Sequence, residues 1–279
     1  MEIKSIRYLI VLAAIFIFSA GIVLAVPAGP LAPSTLTQDV SSKMNTSVYS
    51  SKSLNAEAGN LTQITMTSVS QTKSWQGYYG NISGTILLDD ASNFTMYSWT
   101  VAEPNGQVYV VNRTITDWTT AHCFNYTAAA DGGGRYNYTY DGGTKNASTG
   151  VFSNLTAMEN FYNISIYNLD GINETFNSYS HDQFYVGTIN ILANSCPSTW
   201  INQNDTAQTT NFQELLLQVN DSTSIIWTAI IENNLDGNDT DNMGYNGNLW
   251  DFQILVAEDG SSEAGQDVTT QYYFYVELS

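Results

Sequence analysis

The sequence predicts an all-β chain: an antiparallel β-sandwich, one large or two small in tandem, behind an N-terminal apolar segment. Three observations carry that expectation. From residue 60 to the end, short runs rich in β-branched and aromatic residues alternate with Asn, Asp, Gly and Pro, the pattern of strands and tight turns. Hydrophobic residues make up 43% and aromatics 13% of the 279 residues, enough for a packed core despite the many Ser and Thr. Beyond residue 26 no window keeps a helical period over a helical length, and only Thr156 to Tyr162 has room for one or two helical turns.

The elements follow in order. Lys4 and Arg7 precede an apolar run from Tyr8 to Val26, and Val23-Leu24-Ala25 offers a small-residue cleavage site, so residues 1–25 read as a signal peptide. The run is also long enough to span a bilayer as an uncleaved anchor. Residues 26–58 are rich in Pro, Ser, Thr and Ala and read as a linker. An N-terminal β region, 59–130, is expected to place strands at LTQITMTSV, WQGYYGNISGTILLDD, NFTMYSWTV and GQVYVVN. Pro104-Asn105-Gly106 between the last two reads as a hairpin turn in which Gly supplies a positive φ. The Gly-rich DGGGRYNYTYDGG breaks the pattern, so 131–149 reads as a connection. An acidic C-terminal β region, 150–279, then carries FYNISIYNL, DQFYVGTINILA, FQELLLQV, SIIWTAII, LWDFQILVAE and QYYFYVEL.

Charge narrows the partners. Removing residues 1–25 takes away one acid and two bases, leaving 25 acids against 6 bases, a net charge of about −19. Such a surface cannot neutralise phosphates, which argues against nucleic acid as a partner. The last base is Lys145, and the 134 residues after it hold 17 carboxyl groups without one Lys or Arg. Salt bridges therefore cannot hold that half together; its carboxylates must be solvated, neutralised by cations, or spaced so that repulsion stays tolerable. Cys123 and Cys196 fit one disulfide in an oxidising compartment, the alternative being two buried thiols.

Asn-X-Ser/Thr sequons occur fourteen times, at Asn45, Asn60, Asn81, Asn93, Asn112, Asn125, Asn137, Asn146, Asn154, Asn163, Asn173, Asn204, Asn220 and Asn238. With 28 Asn and roughly a fifth of the residues Ser or Thr, chance would give about six. The excess points to a secreted, N-glycosylated surface protein. In seven sequons the middle residue is apolar or aromatic: Leu61, Ile82, Phe94, Tyr126, Tyr138, Leu155 and Ile164. In a strand that spacing turns Asn and its hydroxyl residue to solvent and the middle residue to the core; in loops the middle residue is incidental.

Motifs for chemistry are sparse. Asp236, Asn238, Asp239 and Asp241 crowd hard oxygens into a short loop, a candidate calcium site, yet the EF-hand Gly is absent and a solvated acidic turn explains the same residues. His122 and His181 stand far apart, which suits structural or surface roles. There is no nucleophile elbow, P-loop, dinucleotide fingerprint or H-E-x-x-H. Paired carboxylates for glycoside hydrolysis are too easily found among so many acids to count. Trp75, Tyr78, Tyr79, Trp99, Trp118 and Trp200 are candidates for an aromatic platform that stacks on sugars, or for core.

The blocks WQGYYGNISGTILLDD, MYSW, DQFYVG, IIWTAIIE, LWDFQILVAEDG and YYFYVEL, in this order, resemble a mostly uncharacterised family of secreted, β-rich archaeal surface proteins. The resemblance implies a signal-bearing surface protein and transfers no catalytic residue. Together these readings lead to the expectation of a non-enzymatic structural glycoprotein outside an archaeal cell, a subunit of a surface layer, sheath or filament. Self-assembly is expected through β-strand contacts, with the terminal QYYFYVEL as the candidate strand. An adhesin or carbohydrate-binding module is the second expectation and a secreted glycoside hydrolase the third. Calcium is the one cofactor the residues suggest, glycans are possible partners, and a membrane is met only through an uncleaved N-terminal segment.

Overall fold

The computed structural model describes residues 29–39, 41–44, 53–101, 104–126, 137–141, 144–148, 155–164, 167–220, 224–232, 243–259 and 269–279, with backbone alone for 137–148. The chain is all-β, and every strand pairing is antiparallel.

A six-stranded sheet forms the centre. It runs β10 (Ser198–Trp200), β11 (Gln213–Gln218), β12 (Ile226–Ile230), β4 (Gly106–Val111) and β14 (Tyr273–Leu278), and β5 (His122–Cys123) shares the free edge of β11 with β10. Its middle strands are near-continuous apolar runs because both faces are covered. Along β4, Val108 and Val110 enter one cluster while Tyr109 and Val111 enter the other. Along β12, Trp227 and Ala229 take the first side and Ile226 the second, as the two-residue period of a strand requires. The first cluster is closed by β1 (Trp75–Gly80) paired with β13 (Phe252–Ala257), and by two short helices, α1 (Leu155–Phe161) and α2 (Ile172–Thr175). The second is closed by the hairpin of β8 (Phe184–Val186) and β9 (Ile189–Ile191) and by the loop holding Ile115 and Ala121.

Trp227 is fully buried at the centre of the first cluster, with ring centroids of Trp75 at 5.5 Å, Phe176 at 5.6 Å and Tyr162 at 6.3 Å. Cys123 and Cys196 form a disulfide across a sequence separation of 73. It joins the two short segments that share the edge of β11, and closing such a loop stabilises the fold by about 4 kcal/mol on the chain-entropy model.

Strands from both sides of the Gly-rich stretch hydrogen-bond in one sheet: β4 lies between β12 and β14. The boundary at 131–149 therefore does not separate two folding units. Nor is that stretch a plain connection, since β6 (Asn137–Asp141) and β7 (Thr144–Ser148) pair there.

Four further expectations are corrected. LTQITMTSV forms no strand and pairs with no described residue. FYNISIYNL holds the end of α1 and its turn, with Asn163 at φ 53, where tertiary packing of Phe161, Tyr162 and Ile164 outweighs their strand propensity. Pro104-Asn105-Gly106 is not a hairpin turn, for β3 (Thr95–Val101) pairs with β2 (Gly84–Asp89) and β4 pairs elsewhere. Gly106 does have a positive φ, 136°, and a Cβ there would lie 1.9 Å from the Glu277 carbonyl oxygen of β14. The terminal QYYFYVEL is not a free strand. It is β14, paired in full register with β4, and its outer edge is bridged by Leu31 from the expected linker: Leu31 N–H donates to Val276 O at 3.0 Å and Val276 N–H to Leu31 O at 2.8 Å.

Candidate functional site

The acidic half is held by carboxylates that accept backbone N–H groups. Glu214, on β11, takes the Leu255 N–H of β13 at 2.8 Å; Asp251 takes the Ile82 N–H at 2.6 Å; Glu277, on β14, takes the Gly187 N–H at 2.8 Å. Glu232 accepts from Phe212, and Glu258 from Thr270 at 2.9 Å. Each joins segments distant in sequence, so the acids substitute for the missing salt bridges. Burial raises the pKa of Glu214 well above the usual carboxyl value, against the Leu255 N–H that lowers it. Burial likewise pushes Glu232 up to about 7, opposed by the Phe212 N–H and reinforced by the charge of Asp182.

His181 is buried beside the disulfide. Its Nε2 accepts from Ser195 N–H at 3.1 Å and Cys196 N–H at 3.0 Å, while Nδ1–H donates to Asp182 O at 2.8 Å. Both ring nitrogens are used in the neutral form, and burial lowers the pKa. Between the folded pKa and about 6.5 the unfolded chain binds more protons, so this group's contribution to stability is lost as pH falls through that window. His122 is exposed, with Nδ1 bonded to Thr120 O at 2.8 Å. Among the described residues no three His, Cys, Asp or Glu side chains gather as a metal set, and Asp236, Asn238, Asp239 and Asp241 lie outside the described residues.

The aromatic candidates divide. Trp75 is half-buried, tilted against Phe176, and its Nε1–H donates to Asp170 O at 2.7 Å; Tyr78 packs edge-on against Phe274. Trp118 sits between Tyr109 and Tyr275, and Trp200 is half-buried in β10. Tyr79 instead joins Tyr245 and Trp250 at the surface, at interplanar angles of 65° and 59°, so the three rings share no flat plane. Tyr245 and Trp250 were not singled out by the sequence, since they reach Tyr79 only through the β1–β13 pairing.

The β2–β3 hairpin is unlike the rest of the molecule. Among the described residues it pairs with no other strand, so its outer edges meet no described partner. Register places Ile86 opposite Trp99 and Leu88 opposite Tyr97, hence four large side chains on one face, with Tyr97 and Trp99 at 4.7 Å. All four are exposed, Trp99 at 48%, and Phe94 and Met96 stand out beside them. Residues 61–71 upstream are equally open. None of their backbone groups hydrogen-bonds to a described residue, while Leu61 is 102% and Met66 82% exposed.

Seven described sequon asparagines stand exposed: Asn60, Asn81, Asn93, Asn125, Asn163, Asn204 and Asn220. Asn112 and Asn173 are half-buried; Asn45, Asn154 and Asn238 lie outside the described residues. Asn137 and Asn146 lie on β6 and β7, where Asn137 pairs with Ser148 and Thr139 with Asn146. Ile82, Tyr126, Leu155 and Ile164 belong to or pack on the first cluster, yet none of them lies in a strand, so strand alternation is not what turns them inward. The inward reading fails for the fully open Leu61 and for Phe94, and the side chain of Tyr138 is outside the described residues. Asn93, Asn163 and Asn204 have positive φ, so turns rather than strand faces present them.

No helix among the described residues is long and apolar enough to cross a membrane. Comparison with protein-family models, with curated proteins and with solved structures found no match.

Proposed function

We propose that the chain is a non-enzymatic, secreted structural glycoprotein, one subunit of a surface layer, sheath or extracellular filament of an archaeal cell. The observation that supports this reading most is the β2–β3 hairpin, an apolar face and two open edges held out from a finished core. An isolated two-stranded hairpin is marginal in water, so such an element gains its stability from a partner. A second copy is the fitting occupant, because residues 61–71 of the same chain offer backbone that bonds to no described residue and exposed apolar side chains. Side chains at half exposure each leave on the order of 100 Å² open. The two elements together approach the ~1,200 Å² a stable pairing needs. Exposed sequons fit a sugar-coated exterior, and carboxylates committed to backbone N–H groups fit a protein without an acid/base pair.

The test is sedimentation and negative-stain microscopy of the secreted full chain from a glycosylating host. Assemblies at micromolar concentration are expected, together with a monomeric Ile86→Ser/Trp99→Ser variant whose melting midpoint is unchanged. A wild type that stays monomeric at every concentration overturns the reading. An adhesin is the second reading, favoured by the surface trio Tyr79, Tyr245 and Trp250; glycan binding lost in Tyr79→Ala without change in assembly would support it.

A further inference from the structure

Tyr79, Tyr245 and Trp250 leave an aromatic corner open at the surface, and a sequon asparagine stands beside it. Tyr79 is 37% and Tyr245 40% exposed, and the rings of Tyr245 and Trp250 lie 5.1 and 5.0 Å from that of Tyr79. The corner is held from beneath. Tyr245 N–H donates to Gln253 Oε1 at 2.8 Å, Gln253 standing opposite Tyr79 in the β1–β13 register. Trp250 Nε1–H donates to Asn246 Oδ1 at 3.0 Å, and Asp205 N–H to Tyr245 O at 2.7 Å.

Asn81, whose sequon is completed by Ser83, is two residues beyond Tyr79 and the first residue past β1. Both of its neighbours are fixed to Asp251, the residue after Trp250. Gly80 O accepts from Asp251 N–H at 3.1 Å, and Ile82 N–H donates to Asp251 Oδ2 at 2.6 Å. Ile82 packs on the first cluster, whereas Asn81 is exposed, as Tyr79 is. Residues two apart have Cα atoms at most ~7 Å from each other, so a sugar on Asn81 starts within reach of the Tyr79 ring. Among the described sequons no other follows an exposed aromatic residue by two positions. Phe161, two before Asn163, is buried, and none of the other residues so placed is aromatic.

We infer that the N-linked sugar of Asn81 folds back onto Tyr79 and Trp250 and is held there as part of the folded surface. This rests on the glycoprotein reading and adds which sequon is structural and what the aromatic corner holds. Attachment joins Asn81 Nδ2 to the anomeric carbon of a sugar carried on a lipid phosphate, the amide losing a proton as the phosphate leaves. The C–H groups on one face of a sugar ring carry partial positive charge and meet the negative face of an aromatic ring. Rings set at 59° and 65° suit one sugar unit better than a run of units along a free polysaccharide. From solution a lone sugar binds such a corner weakly, but one tethered at Asn81 meets it at an effective concentration of roughly millimolar.

The experiment uses the full chain secreted from a glycosylating host. Glycopeptide mass spectrometry reads the occupancy of Asn81. Thermal melts compare the wild type with Asn81→Gln and Ser83→Ala, which empty the same site through different atoms, and with Asn60→Gln, whose sequon has Ala58 in place of the ring. The first two should melt about 2 °C below the wild type and Asn60→Gln together with it. In a Tyr79→Thr background the difference between an occupied and an empty Asn81 should vanish. An unoccupied Asn81 overturns the proposal, and so does the absence of a loss in either variant or an equal loss with and without the Tyr79 ring. Binding of free oligosaccharide to the occupied wild type, lost in Tyr79→Ala, also overturns it, because the corner is then open and the adhesin reading holds. Sugars at other sequons with Asn81 empty leave the glycoprotein reading standing; a chain with no sugar at any sequon removes both.

Discussion

β3 and β4 are neighbours in the chain and alike in composition, yet they meet opposite fates. β4, GQVYVV, is buried on both faces between β12 and β14, while β3, TMYSWTV, is exposed along nearly its whole length and, among the described strands, pairs only with β2. Strand propensity is therefore not what separates them. β4 has partners on both edges and a cluster on each face, so every apolar side chain it carries is removed from water. The hairpin has neither, and its side chains contribute little until another surface covers them.

The sharpest break in this comparison comes from one substitution on each side. Trp227→Ala should cost about 3–5 kcal/mol, since it empties the space shared by Trp75, Phe176 and Tyr162. Trp99→Ala should cost under about 1 kcal/mol in the monomer, because the ring is half open already. Equal losses in denaturant melts would mean that the hairpin is packed in solution.

A smaller effect separates the regions by pH. Glu232 sits with the buried part of the molecule, and its folded pKa of about 7 exceeds the ordinary value of 4.5. Its contribution to stability is present in full below about 4.5 and is lost as pH rises through 7, roughly 3 kcal/mol in all. Glu232→Gln should flatten that part of the slope between pH 5 and 8 in thermal melts. Wild-type and variant slopes that coincide would show that Glu232 titrates normally in the fold. The smallest effect belongs to the exposed Asp89 of the hairpin, where Asp89→Ala should change stability in denaturant melts by less than about 0.5 kcal/mol.

Much of the fold was legible beforehand. GQVYVV, FQELLLQV, SIIWTAII, LWDFQILVAE and QYYFYVEL each became a strand, Thr156–Tyr162 supplied the one foreseen helix, and the cysteines paired. What misled was local pattern without a partner. LTQITMTSV has strand composition but no described pairing partner, and the Gly-rich stretch hid the β6–β7 pair behind residues that usually break strands. The candidate sites were less legible. The trio of Tyr79, Tyr245 and Trp250 joins residues that only the β1–β13 pairing brings together.

The sequence by itself determined the class, through strand-length apolar runs cut by turn residues, and it determined that the acidic half must stand without salt bridges. Only the tertiary structure decided how. It turned carboxylates toward backbone N–H groups across strands, paired β14 with β4 and bridged its outer edge at Leu31, and left β2–β3 open. Composition records which side chains favour a strand or need a partner; which partner each finds depends on pairing between distant segments, and that is decided only when the sheet closes around its two clusters.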